Sequence, residues 1–207
     1  MCVETVRLRL HFFIKFHSHS TLRHCMQHFL PIHFTDLLFF QLLVNKKDIN
    51  GVTALHRAAE TGKTQEARKL INNGAEVNIE NNSNETPLHL AAFNGKKSVA
   101  ELLIQRGAIV DKINDFYATP LHSAAFSGHK DVAELLLRKG ANYEMGNYLN
   151  NTPLHLAALN GRKNVVEFLI SKGANVNNEN TAKNTPLHLA AQNGNSWILV
   201  FTKRILI

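Results

Sequence analysis

The chain has 207 residues, of which 44% are hydrophobic and 19% charged. That balance excludes a collagen, a wholly disordered chain and a disulfide-stapled miniprotein, and it leaves room for one domain or a short repeat array. The formal charge of +7 invites a nucleic-acid reading, but residues 51–195 carry 15 basic against 13 acidic side chains and the excess sits at the two ends, so no basic groove and no nucleic-acid partner is expected.

Residues 1–45 are rich in Phe and His and match no domain pattern. Arg7, Arg9 and Lys15 interrupt the apolar run that a signal peptide would need. The most apolar window, 26–44, contains His28, Pro31, His33 and Asp36, so a membrane span is not expected there. His11, His17, His19, His24, Cys25, His28 and His33 form a candidate metal cluster, with His24 and His28 on one helical face. Their spacing fits no closed four-ligand pattern, because the only other cysteine is Cys2, so neither a metal nor a cofactor is expected. With both cysteines near the N-terminus, the bulk of the chain is free of cross-links, which suits a reducing compartment.

From residue 46 onward one period organises everything. Thr-Ala-Leu-His-Arg-Ala-Ala begins at Thr53, and Thr-Pro-Leu-His-x-Ala-Ala begins at Thr86, Thr119, Thr152 and Thr185, each 33 residues after the last. A glycine follows nine residues after each threonine, and a Gly-Ala pair closes four units at Gly74, Gly107, Gly140 and Gly173. Within one unit, Thr86 is placed to cap a helix and Pro87 suits its first position. Leu88, Ala91 and Ala92 then share one helical stripe, and Asn94-Gly95 ends the helix. A second helix follows with Val99, Ala100, Leu102, Leu103 and Ile104 apolar; Arg106 suits its negative end and Gly107 stops it. A polar, turn-forming stretch such as Asn81-Asn82-Ser83-Asn84 leads to the next threonine.

The five copies resemble the ankyrin repeat over about residues 48–195. The resemblance implies an all-α solenoid of helix-turn-helix units with hairpin-like finger loops, in units of about 48–80, 81–113, 114–146, 147–179 and 180–207, the last incomplete. The Ala-Ala pairs let first helices pack closely, while second helices carrying Leu, Ile, Val and Phe168 need more room, so the stack should bend toward the first helices. Glu66 and Lys69 stand where the next unit has Val99 and Leu102 and read as an N-terminal cap. Ser20-Thr21-Leu22 and Val44-Asn45 lie one period upstream of their counterparts and leave a degenerate sixth repeat open. After Asn195 the pattern departs, with Val200 in a Glu slot and Thr202-Lys203 in place of Leu-Ile.

The periodic histidines His56, His89, His122, His155 and His188 fall in successive layers, so they read as structural partners of Thr53, Thr86, Thr119, Thr152 and Thr185 rather than as metal ligands. In the ankyrin family the variable positions on the finger and after the Ala pair meet the partner. Carried onto this chain, these are Phe93, Phe126 and Leu159 as an apolar stripe, flanked along the row by Glu60 and Gln192, with Phe116, Tyr117, Tyr148 and Leu149 on the fingers. The expected function is a protein-binding scaffold or adaptor, monomeric, without catalysis, in the cytosol or nucleus. Two alternatives stand beside it: a scaffold piece of a larger ankyrin-bearing protein, such as a membrane channel or latrotoxin-like pore former, and an N-terminal metal- or membrane-binding module with the array as adaptor. The finger glycine Gly51 has Asn84, Tyr117, Asn150 and Lys183 as equivalents. Tyr and Lys enter the left-handed region less readily than Gly or Asn, which puts the third and fifth fingers in question.

Overall fold

The computed structural model describes residues 43–195, and the N-terminal His/Cys cluster and the divergent stretch after Asn195 lie outside them. Two compact units divide the chain at Leu43/Val44, and the second contains the array. The described residues form α1 (Ala54–Thr61), α2 (Thr64–Asn72), α3 (Pro87–Phe93), α4 (Lys97–Gln105), α5 (Pro120–Ser127), α6 (Lys130–Arg138), α7 (Pro153–Leu159), α8 (Lys163–Ser171) and α9 (Pro186–Gln192), with no strand among them. Odd-numbered helices are the first of each unit and even-numbered ones the second.

Each first helix starts where the sequence places it. Thr53, Thr86, Thr119, Thr152 and Thr185 are extended N-cap residues, and proline occupies the first helical position of α3, α5, α7 and α9. Leu55, Leu88, Leu121 and Leu154 are fully buried beneath the alanine pairs. The second helices bury Val99, Ala100, Leu102 and Leu103 in α4 and the equivalent residues of α6 and α8. The α2 helix buries only Ala67 and leaves Glu66 and Lys69 exposed, as a terminal unit requires. Adjacent first helices pack together more extensively than adjacent second helices do. Alanine lies at the first-helix contact and Leu, Val or Phe at the second-helix one.

The finger loops do not vary as their fourth residue suggested. Asn84, Tyr117, Asn150 and Lys183 all adopt a left-handed φ of 54–61°. The reason lies three residues earlier, where Asp48, Asn81, Asn114, Asn147 and Asn180 recur at the same period. Each side-chain oxygen accepts the N–H groups two and four residues ahead; Asn114 Oδ1, for example, accepts from Phe116 at 2.9 Å and Ala118 at 3.0 Å. That clamp, closed by Tyr117 N–H donating to the Asn114 carbonyl at 2.9 Å, over-determines the turn and imposes the same conformation on Tyr and Lys.

The fingers are then tied into a row. Asn82, Asp115, Tyr148 and Thr181 each donate a backbone N–H to the preceding finger, on Asn50, Ser83, Phe116 and Leu149 respectively, at 3.0–3.1 Å. The array also reaches one step further upstream than residue 46. Asn45 donates to the Gly74 carbonyl at 3.0 Å and accepts from Glu76 N–H at 2.9 Å, the same two bonds that Asn78 makes to Gly107 and Ile109 one unit later. Val44 packs against the core beside it.

Candidate functional site: the first-helix and finger face

The periodic histidines are consumed by the fold. Backbone N–H of Thr86 donates to His89 Nδ1 at 3.1 Å and the Thr86 hydroxyl lies 2.9 Å from the same nitrogen, which fixes Nδ1 as the acceptor. His89 Nε2 therefore carries the proton and donates to the Ala118 carbonyl of the next finger at 3.1 Å. His56, His122 and His155 repeat both contacts, ending on Glu85, Asn151 and Asn184. Each ring thus cross-links two neighbouring units as well as capping its own helix, a reach of 29 residues that local sequence reasoning did not supply. Burial lowers the imidazole pKa from 6.5 to about 4 at His89 and His122, and in the same direction at His56 and His155. His188 keeps its bond to Thr185 but is exposed.

The residues left for a partner lie along the other rows. Phe93 is 47% and Phe126 40% exposed, and their rings stack with centroids 6.1 Å apart and planes at 21°. Neighbouring units therefore join their aromatics into one surface feature. Leu159, in the same row, is half-buried rather than exposed, and its carbonyl accepts from Asn193 and Asn195 at 2.8 and 3.2 Å. Glu60 and Gln192 are exposed at the two ends of the row. On the fingers, Phe116, Tyr117, Tyr148 and Leu149 are all exposed, with the Phe116 and Tyr148 rings 5.9 Å apart. Ile113, just before the third finger, is also 37% exposed and was not singled out from the sequence.

Among the described residues no group of three or more His, Cys, Asp or Glu side chains is placed to hold a metal ion, and no helix is long and apolar enough to cross a membrane.

Paired helices stacked at a fixed 33-residue period define a helical-repeat solenoid. A family model for ankyrin repeats, three copies in length, matches the chain in overlapping windows over residues 30–114, 65–147, 109–180 and 146–201. The chain belongs to the ankyrin-repeat family. The first window begins upstream of residue 46 and so includes Val44 and Asn45, in keeping with the repeat contacts Asn45 makes. No curated protein matches the sequence. Ankyrin repeats serve generally as protein–protein interaction modules and typically carry no catalysis of their own.

Proposed function

We propose that this chain is a non-catalytic adaptor of the cytosol or nucleus that holds a partner protein on its first helices and fingers. The observation that carries this reading is the exposed, stacked pair Phe93–Phe126. Large aromatics that remain half in water after folding, and that are gathered across units, are what a binding hot spot is made of. Leu159 extends the row, Glu60 and Gln192 flank it, and Phe116, Tyr117, Tyr148 and Leu149 form a second contact patch on the fingers.

The rings contribute more to a partner than to the core, so their replacement separates binding from folding. Phe93→Asp with Phe126→Asp is expected to abolish partner capture while far-ultraviolet circular dichroism stays unchanged. A collapse of helical signal in that variant would instead make the rings part of the core and remove the basis of the proposal.

A further inference from the structure

The nearly balanced charge of residues 51–195 hides a sharp separation between the two ends of the first helices. At the turn between first and second helices lie Lys63, Lys96, Lys97, His129, Lys130, Arg162 and Lys163. The turn residues are laid down in a row. The Lys96 side chain lies over Gly62, the His129 ring over Gly95 and the Arg162 side chain over Gly128, each close enough that a Cβ on the glycine would meet it within 3 Å. Lys63 and Lys163 pair with Glu66 and Glu167 at 3.3 and 3.8 Å. In the middle of the row, Lys96, Lys97, Lys130 and Arg162 make no ion pair among the described residues, Glu101, Asp131 and Glu134 being the acids nearest to them in sequence.

Folding accounts for only some of these cations. Lys97, Lys130 and Lys163 occupy the first positions of α4, α6 and α8, where the helix dipole disfavours positive charge. Glu167 offsets Lys163 and the Lys130 ammonium lies 5.9 Å from the Phe168 ring centroid, which leaves Lys97 as the first-position cation with neither kind of contact among the described residues. The row also borders the aromatic pair. Phe93 precedes Lys96 by three residues, and Arg162 Nε donates to the Phe126 carbonyl at 3.0 Å. Near the fingers, by contrast, Arg57 pairs with Asp48, Lys112 with Glu80 and Lys183 with Glu179, at 2.6–3.2 Å.

Resting on the reading that Phe93 and Phe126 hold a partner, we infer that the partner segment is acidic beside an aromatic or aliphatic anchor. The anchor sits on the stacked rings, and its flanking Asp or Glu side chains lie over Lys96, Lys97, Lys130 and Arg162. Charge complementarity chooses this occupant: an apolar platform edged by unpaired cations binds an anchor flanked by carboxylates more tightly than one flanked by Lys or Arg.

The test pans a random dodecapeptide phage library over the full chain, then titrates the enriched peptides by fluorescence anisotropy. Enriched sequences are expected to combine at least two Asp or Glu with a Phe, Trp, Leu or Ile. The triple variant Lys96→Gln, Lys97→Gln, Lys130→Gln should weaken them about tenfold at low salt and flatten their salt dependence, since each exposed charge contact contributes modestly. Phe93→Asp with Phe126→Asp should remove binding altogether. Neutral or basic peptides that need the two rings and ignore the three lysines would overturn the acidic assignment while leaving the binding face intact. A panel with no peptide dependent on the rings would overturn both. Lysine-dependent binding to vesicles containing phosphatidylserine, without acidic peptides, would replace the partner by a lipid surface. Ring-dependent self-association in sedimentation would replace it by a second copy of the chain.

Discussion

Acid should loosen this array in a defined window. His89 and His122 are fully buried, and burial holds their pKa near 4 against 6.5 for an unconstrained imidazole. The geometry reinforces the desolvation, because Nδ1 of each ring already accepts from a threonine N–H, so a proton there would face a donor. As pH falls below about 6.5 the unfolded chain takes up protons that the folded chain refuses. The stabilisation is complete above 6.5, is lost as pH falls toward 4, and levels off below. One pKa unit corresponds to about 1.4 kcal/mol, so each ring costs roughly 3 kcal/mol by pH 4 and the two together about 6 kcal/mol. Near pH 5.5 the combined loss is about 2–3 kcal/mol, a large share of the roughly 5–15 kcal/mol by which domains are stable. His56 and His155 act in the same direction. Asp48, whose pKa is lowered chiefly by the Val52 N–H, titrates below this window. Urea unfolding followed by circular dichroism at pH 7, 6, 5.5 and 5 measures the slope. Stability that stays flat from pH 7 to 5 would refute the neutral, buried histidine ladder.

Three further outcomes follow from the same contacts. His122→Ala removes a ring that caps α5 and holds the Asn151 carbonyl, and should cost about 2–4 kcal/mol in urea unfolding. His188→Ala removes an exposed ring whose hydrogen-bond partner among the described residues is Thr185 alone and should cost under about 1 kcal/mol, so equal costs at the two sites would contradict the inter-unit role. Tyr117→Gly relieves a left-handed residue and should raise stability by about 0.5–1 kcal/mol while weakening partner binding through the finger patch, both measurable on one purified variant.

Much of this was legible because a repeat states its rules several times. The Thr-Pro/Ala-Leu-His-x-Ala-Ala string located every first helix and its cap, and the leucine that is buried in the first four units. The fingers were less legible. Reading Tyr117 and Lys183 by intrinsic preference put their turns in question, whereas the decisive residue was the periodic Asn or Asp three positions earlier, a signal present in the sequence and overlooked. The histidines illustrate a different limit. Their bond to Thr is local, but Nε2 reaches a carbonyl 29 residues away, which only stacking creates. Exposure within the stripe depended likewise on stacking, so Phe93 and Phe126 emerged as a pair while Leu159, in the same register, is half-buried.

The most direct measurement of the binding face is site-specific photocrosslinking. Benzoylphenylalanine would be placed singly at Phe126 and Leu149 on the first-helix and finger face, and at Gln105 and Arg138 on second helices, all four exposed. With a captured partner, adducts are predicted from Phe126 and Leu149 and from neither second-helix position. Adducts formed from Gln105 or Arg138, and absent from Phe126 and Leu149, would contradict the account.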